Sequence, residues 1–592
     1  MKKAVLMGNE AFARGAWEAG VNIGAAYPGT PSTEILENFA TYPDIYCQWS
    51  PNEKVALEFA AGAAISGARC ISCMKHVGLN VAADPLMTLS YVGIKGGLVI
   101  IVADDPGMHS SQNEQDTRNY ARFAKIPILE PSDSREAKEF VKLGIEISER
   151  FRTPVIVRST TRISHSKGVV PLGERVPHKA TGWEKNPQKY VPVPIYGRKM
   201  RVAVEERLHE LQAYASEECQ ENYIVEGSNE IGIITSGISF QYAAETFPEA
   251  TILKLGMSYP FPDDLIKEFA KKVRRILVVE ELDDFLEEHI RSLGIPAEGR
   301  KYVPGIGELN LDKLEKARIQ FEGKEYKEKE VQQSAAKAPP RPPVFCPGCP
   351  HRSVFYEIAK HDPVIIGDIG CYSLAVFPPL SAMDLILCMG AGISSAHGAA
   401  RAGTGQKVVG VMGDSTFFHS GITGLLDIGY NRGNVTIFVL DNRSTAMTGH
   451  QEHPGTGITL MGEPTFEASI EAFARACGIR RVSVLDPYDI EHMRKVIKTE
   501  LDVDEPSIII TKAPCVLLKD AVPEGRKPMH VIDEKCKACG LCLKLSCPGL
   551  EKHVAEDGSF SVQVNPVLCS GCGICTQVCP FDAIEPMDKE QK

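Results

Sequence analysis

Eight of the chain's eighteen cysteines fall in its last 57 residues, in CKACGLCLKLSCPG from Cys536 and CSGCGICTQVCP from Cys569. Spacing this regular constrains the local fold more than any other feature of the sequence. An even number of cysteines at fixed intervals is compatible with a disulfide framework in a secreted domain. The opening MKKAVLMGNEAFARG argues against secretion, because its apolar run is four residues long and glycine, asparagine and glutamate follow at once. The most apolar run, GGLVIIVA from Gly96, has the length of a buried strand and not of a membrane span. A soluble cytoplasmic chain with reduced thiols and no membrane association is therefore expected, which leaves the sulfurs available to metal.

The first run places Cys536, Cys539 and Cys542 on a tight loop, then Cys547 before Pro548; the second places Cys569, Cys572 and Cys575, then Cys579 before Pro580. Both match the ferredoxin pattern, in which the fourth cysteine of each run serves the other cluster. Cys536, Cys539, Cys542 and Cys579 are thus expected to hold one [4Fe-4S] cluster, and Cys569, Cys572, Cys575 and Cys547 a second. Four residues, not three, separate Cys542 from Cys547, a departure expected to loosen that corner or shift its potential. Two tetrahedral zinc sites would also consume eight thiolates, but zinc ribbons do not require interleaved, proline-ended spacing.

A chain of 592 residues has room for about four domains. Its net charge of −11 argues against a nucleic-acid partner, since phosphate binding needs a basic face. The charged, then proline-rich stretch GKEYKEKEVQQSAAKAPPRPP from Gly323 reads as a linker. VPEGRKP from Val522 separates the cysteine-rich tail, and a weaker boundary lies between His165 and Tyr196. No internal repeat is visible. Elsewhere short apolar strands, including IVADDPG, IIGDIGC, VVGVMGDST and VTIFVLDNRS, alternate with helical patterns. Such alternation predicts doubly wound α/β domains with parallel sheets and sites at the strands' carboxyl ends.

One such site follows from two neighbouring strands. VVGVMGDST turns at Gly413 and puts Asp414 at the strand tip; a helical stretch from Thr416 to Tyr430 then leads to VTIFVLDNRS, with Asn442 at its tip. A carboxylate and an amide at one edge suit Mg²⁺, which prefers hard oxygens and accepts phosphates among them. Helix N-termini at that edge favour a diphosphate. The spacing, with Asn442 twenty-eight positions after Asp414, resembles the thiamine diphosphate motif. That resemblance implies Mg²⁺ ligation by Asp414, Asn442 and the Ser444 carbonyl, with Gly413 and Ser415 beside the cofactor. Ser415 stands where glycine is commoner and Asp441 where a first asparagine is commoner. The glycine-rich MGAGISSAHGAARAG, with Gly390 and Gly392, fits a helix approaching the cofactor closely.

Thiamine enzymes also use a glutamate from a second domain, and in SPNEKVALEFAAGAAISGAR the spacing from Glu53 to Gly62 is similar to theirs. IGAAYPGTPSTEI predicts a strand ending at Tyr27 and a helix with Thr30 as N-cap and Pro31 at its first position, a start able to receive a carboxylate. YPGTPS resembles the substrate-binding turn of the 2-oxoacid:ferredoxin oxidoreductases, which implies that Thr30 touches substrate. In that family a further cluster lies beside thiamine; FCPGCPHR, GDIGCYSL and KAPCVLL imply Cys346, Cys349, Cys371 and Cys515 as its ligands. Cys47, Cys70, Cys73, Cys219, Cys388 and Cys477 are expected to be small buried side chains, and His351, His397, His419, His450 and His453 to be ordinary polar packing.

In this order the motifs make essentially the whole chain similar to the large subunit of the arylpyruvate-using branch of that thiamine-dependent family. MKHVGLN from Met74 and DDPGMHSSQNEQDTR from Asp104 are similar to that branch too. Pyruvate-using relatives place an arginine in the second segment to grip the substrate carboxylate. DDP stands there in this chain, which leaves Lys75, His76 and Arg118 as candidates for that contact.

The resemblance implies residues 1–175 as a pyrimidine-binding-type thiamine domain, 176–322 as a transketolase C-terminal-like α/β domain and 323–343 as linker. Residues 344–521 follow as a diphosphate-binding-type domain and 522–592 as a two-cluster ferredoxin-like α+β domain. It also implies oxidative decarboxylation of aryl 2-oxoacids such as indolepyruvate, with coenzyme A taking the acyl group and ferredoxin the electrons. A smaller β subunit in an α2β2 heterotetramer completes the expectation. Lys537 and Lys544 are expected to meet an acidic ferredoxin. A pyruvate-using oxidoreductase and a non-oxidative thiamine decarboxylase are the alternatives; the latter needs no clusters, and a pure electron-transfer subunit needs neither Glu53 nor Asp414.

Overall fold

The computed structural model describes residues 2–328, 343–519, 521–522 and 525–587. The chain divides into two compact units, Met1–Gln332 and Gln333–Lys592. Most of the linker expected at 323–343, and part of VPEGRKP, lie outside the described residues.

The first unit holds two sheets. The larger runs, in spatial order, Met257–Tyr259, Ile128–Leu129, Val155–Thr160, Leu98–Asp104, Cys70–Lys75, Ile23–Ala26 and Tyr46–Trp49. All its pairs are parallel except the antiparallel edge Met257–Tyr259. Every residue of Leu98–Asp104 and Cys70–Lys75 is buried, as expected for strands covered by helices on both faces. The second sheet orders Ala297–Glu298, Arg275–Val279, Ser228–Ser236, Ala250–Leu255 and Asn222–Val225, antiparallel only at its last pair. Its chain supplies the edge strand Met257–Tyr259 of the first sheet, so the two modules share a ladder.

A buried charge network reinforces that junction. Arg118, 1% exposed, donates to Asp116 and Glu280 and to the carbonyls of Glu281 and Asp283. Arg158 reaches Asp104 and Glu130, each at 2.6 Å. Buried charges persist only when paired in this way.

In the second unit five parallel strands run Val364–Ile366, Val408–Gly413, Thr436–Asp441, Ser507–Lys512 and Arg481–Leu485. The helical stretch after Gly413 covers Asp414–Thr416, a π-helical turn Phe417–Gly421 and Ile422–Asn431. π turns of this kind concentrate at functional sites. The tail forms two short antiparallel pairs, Met529–Val531 with Ile584–Pro586 and Leu550–Val554 with Phe560–Val564. Among the described residues no helix is long and apolar enough to cross a membrane.

Two local expectations change. The helix expected from Thr30 starts at Thr33, after Ser32, and ends at Phe39. Before it the Gly29 carbonyl accepts from both the amide and the hydroxyl of Ser32, each at 2.8 Å, closing a turn that holds Thr30 outside the helix. A helix of seven residues starting beyond Thr30 offers that residue no N-terminal amides. Cys388, expected to be buried, is exposed just ahead of the glycine-rich helix.

Candidate functional site

Asp414 sits where the sequence places it, at the tip of Val408–Gly413, and is 2% exposed. Its Oδ1 accepts from the Ser415 amide at 2.8 Å, and its Oδ2 lies 3.1 Å from Nε2 of His453. The Gly455 amide donates to Nδ1 of His453 at 3.1 Å, so a neutral His453 carries its proton on Nε2 and donates it to Asp414. Asp441 faces the same carboxylate; burial first, and Asp414 second, push its carboxyl up to about 6. Asn442 lies beside it, its amide 3.4 Å from Nε2 of His351. Burial pushes His351 down to about 4, so it is neutral at pH 7 and can accept that bond. Ser415 takes a hydrogen bond from the Thr445 hydroxyl at 2.9 Å, and Ser444 is buried. Two buried carboxylates and an amide at adjoining strand tips form a donor set that a divalent cation would complete.

The glycines around this edge act by shape. A Cβ on Gly413 would stand 2.9 Å from the Tyr372 ring. The amides of Gly390 and Gly392 donate to Asp368 at 3.1 and 2.9 Å, and a Cβ would stand 2.5 Å from Cβ of Ser420 at Gly390 and 3.0 Å from the Gly367 carbonyl at Gly392. Asp368, which the sequence reading passed over, therefore caps the glycine-rich helix.

The four cysteines Cys346, Cys349, Cys371 and Cys515 gather in the same unit. Burial pushes the Cys349 thiol up to about 12, with Cys346 and Cys371 adding to it; Cys371 is pushed up to about 11, with Cys515 and Cys346 adding. The Cys515 amide donates to the Asn442 carbonyl at 2.9 Å, and the Cys515 sulfur is 3.6 Å from Nε2 of His450. One backbone hydrogen bond thus ties the cysteine group to the diphosphate motif.

The tail sorts its cysteines as the interleaved pattern requires. Cys547, Cys569, Cys572 and Cys575 line one cavity, and Cys536, Cys539, Cys542 and Cys579 another, each of about 20 Å³. Among the described residues no three His, Cys, Asp or Glu side chains converge on the position of a single ion. The extra residue between Cys542 and Cys547 is absorbed by Ser546, whose φ of 55° closes the turn Cys542–Leu545. Arg352 holds this bulge. Its guanidinium, 1% exposed, donates to the carbonyls of Leu545, Ser546, Phe345 and Cys346. Gly348 packs so closely on the loop between Cys569 and Cys572 that a Cβ would stand 2.1 Å from the Ser570 hydroxyl. The loop of Cys346 and Cys349 therefore lies against the cavity lined by Cys569 and Cys572.

In the first unit Glu53 opens the helix Glu53–Ile65, which Asn52 caps by accepting from the Val55 amide. It is 5% exposed, not the solvated first-turn glutamate that helix electrostatics alone would produce. Its carboxylate packs on Gly78, where a Cβ would meet Oε1 at 2.6 Å and Cδ at 2.9 Å. Gly78→Ala is thus expected to displace the Glu53 carboxylate and lower kcat at least about 10-fold with little change in thermal stability; unchanged kcat would show that this contact does not set the carboxylate's position.

Arg118 is withdrawn from substrate by the network described above. His453, His351, Asp368, Arg352 and Gly78 had no sequence signal that separates them from packing residues, beyond the clustering of histidines after the DN of Asp441–Asn442.

Comparison with known proteins agrees with this geometry. Residues 14–227 match the thiamine diphosphate-binding domain of pyruvate flavodoxin/ferredoxin oxidoreductases, 368–511 the C-terminal thiamine pyrophosphate-binding domain, and 562–585 a 4Fe-4S binding domain. Fold and matches together define a thiamine diphosphate-dependent 2-oxoacid:ferredoxin oxidoreductase that carries iron–sulfur clusters. The chain is 40% identical over 616 residues to the indolepyruvate oxidoreductase subunit IorA of Archaeoglobus fulgidus, covering 99% of this chain and 98% of the relative. It is 42% identical over 611 residues to the subunit of the same name from Methanothermobacter marburgensis, covering 99% and 97%. Likeness to the 2-oxoglutarate synthase subunit KorA of Archaeoglobus fulgidus is 26% over 315 residues, 47% of this chain and 88% of that one. The chain belongs to the indolepyruvate oxidoreductase subunit IorA family.

Proposed function

We propose that the chain oxidatively decarboxylates aryl 2-oxoacids, indolepyruvate first among them, to the aryl-acetyl-CoA and CO2, with ferredoxin as electron acceptor. The relatives matched over nearly the whole chain are indolepyruvate oxidoreductase subunits, which supports the substrate. The observation that best supports the oxidative chemistry is the hydrogen bond from the Cys515 amide to the Asn442 carbonyl, which sets Cys515, in electrostatic reach of Cys346 and Cys371, next to the proposed diphosphate motif.

Bound thiamine diphosphate supplies the sink for the electron pair left behind as CO2 departs, and clusters accept those electrons one at a time. Asp414, Asn442 and the Ser444 carbonyl would hold Mg²⁺, with Asp441 adding charge and His453 orienting Asp414. Glu53 would supply the carboxylate that exchanges a proton with the bound cofactor. Thr30 contacts the substrate from its turn. Cys346, Cys349, Cys371 and Cys515 would hold one cluster, Cys547, Cys569, Cys572 and Cys575 a second, and Cys536, Cys539, Cys542 and Cys579 a third, where Cys539 is exposed. For each turnover the 2-oxoacid and coenzyme A give acyl-CoA, CO2 and one proton, and two ferredoxins are each reduced by one electron. A smaller β subunit completes an α2β2 assembly.

Exposed Lys537 and Lys544 flank the last cysteine group and offer an acidic ferredoxin a docking point. Reversing both charges is expected to lower the rate of ferredoxin reduction about 10-fold at low salt and leave dye reduction unchanged; equal ferredoxin rates would remove this contact. The function itself is tested by an anaerobic assay of the chain with its partner subunit, using indolepyruvate, coenzyme A and a viologen dye. Dye reduction coupled to acyl-CoA formation is the expected result. Faster turnover of pyruvate, or aldehyde release with no dye reduced, would contradict it.

A further inference from the structure

The substrate of the proposed reaction is an anion, and its carboxylate needs a cation on the sheet edge that carries Thr30 and Glu53. That edge is built by four adjacent strands, Leu98–Asp104, Cys70–Lys75, Ile23–Ala26 and Tyr46–Trp49. Their carboxyl ends lead in turn to Asp105, to Lys75 and His76, to the Tyr27–Thr30 turn and to Glu53. The sequence leaves three candidates, and the structure separates them. Arg118 is buried, with its donors committed to Asp116, Glu280 and two carbonyls. His76 is 2% exposed, and burial holds it below its ordinary value, so it is neutral near pH 7.

Lys75 differs from both. It is 7% exposed, yet among the described residues it forms no ion pair within 4.0 Å. Its ammonium donates to the Ser110 carbonyl at 2.6 Å and reaches the Ser110 hydroxyl at 3.4 Å. Asp105, the nearby carboxylate, is already engaged by the Ser110 amide at 2.8 Å and by the hydroxyls of Ser111 and Thr161 at 2.5 and 2.6 Å. Burial dominates the ammonium's environment and draws it down to about 8, which keeps it charged at pH 7. An ammonium with carbonyl and hydroxyl partners and no ion pair is costly to bury, and an incoming carboxylate would offset that cost.

The substrate turn is within reach. A Cβ on Gly29 would stand 3.2 Å from Cβ of Lys75, and the Ser110 hydroxyl donates to the Thr30 carbonyl at 3.3 Å. Lys75, Ser110 and Thr30 therefore form one connected cluster, with Ser110 on an exposed loop above the buried ammonium.

We propose that Lys75 is the cation that receives the carboxylate of the 2-oxoacid, positioned by Ser110 against the Thr30 turn. The proposal rests on the 2-oxoacid reading above. Lysine meets a carboxylate as a point charge, without the two-pronged grip of arginine. A contact made to a group that departs as CO2 binds the ground state, so its loss appears in KM more than in kcat.

Lys75→Met and Lys75→Arg test this in the anaerobically purified complex, with indolepyruvate as substrate, indole-3-acetaldehyde as a carbonyl compound lacking the carboxylate, and thiamine diphosphate affinity measured by fluorescence quenching. Lys75→Met is expected to raise KM for indolepyruvate about 100-fold with kcat within about threefold, the scale of truncating one partner of a buried charge pair. Lys75→Arg is expected to recover most of the KM. Thiamine affinity and aldehyde oxidation are expected to stay at the parent's level. A Lys75→Met KM within threefold of the parent's, or a fall in kcat or thiamine affinity with KM unchanged, would overturn the assignment while the parent's activity left the functional reading intact. A parent complex that binds thiamine diphosphate and oxidises no 2-oxoacid would overturn both.

Discussion

Replacing Glu53 by glutamine is expected to lower kcat/KM for the 2-oxoacid about 1000-fold while iron content and the dithionite-reduced spectrum stay unchanged. Glutamine keeps the shape of the side chain, and the helix keeps its Asn52 cap, so the fold of the first unit has no reason to yield. What disappears is the capacity to exchange a proton. The proposed role fits the surroundings: the carboxylate is buried, sits on the helix's first turn and rests against a glycine that admits no Cβ. Steady-state kinetics beside an iron assay and thermal unfolding check the expectation. Activity within tenfold of the parent's would show that another group performs the proton exchange, and Glu53 would revert to a buried structural carboxylate.

Arg352→Met is expected to destabilise the second unit by about 4 kcal/mol, because four backbone carbonyls lose a charged donor in a water-poor setting. Methionine fills much of the volume but can donate to none of them. Two of those carbonyls belong to the Phe345–Cys346 segment and two to Leu545–Ser546, so the variant releases two cysteine loops from one another. Substrate-driven dye reduction is expected to fall more than cluster content does, since the loops can each keep iron while the distance between them grows. Anaerobic urea unfolding followed by the visible absorbance of the clusters measures the first effect. A midpoint shift corresponding to less than about 1 kcal/mol would mean that the guanidinium is a filler and not the clasp between the loops.

The cysteine runs, Asp414 and Asn442 were legible in sequence because each depends on local geometry: a tight loop fixes three thiolates, and a strand tip fixes one oxygen. Alternating strands and helices likewise announced parallel sheets. Thr30 was misread as a helix cap because proline after threonine is a strong local signal, while the Gly29–Ser32 turn that displaces the helix depends on the Gly29 carbonyl taking two donors. Arg352 acts on carbonyls 193 and 194 positions away, and Arg118 on a glutamate 162 positions away. No periodicity carries such information. The difference between Lys75 and Arg118 is of this kind, for both are basic residues in plausible segments and only the packed fold shows which one is already spent on carboxylates. Asp441 was noted as a departure from the thiamine motif; buried and facing Asp414, it would add a second carboxylate to the proposed cation site.

Electron transfer from thiamine-bound substrate into iron within this one chain is the claim most open to direct attack. Anaerobic, reconstituted complex is mixed with indolepyruvate and coenzyme A in the absence of ferredoxin, and the clusters are followed by visible absorbance and by electron paramagnetic resonance of frozen samples. Bleaching within the turnover time, with signals of reduced [4Fe-4S] clusters that Glu53→Gln abolishes, is the expected result. Clusters that dithionite reduces but substrate leaves oxidised, while CO2 is still released, would contradict it.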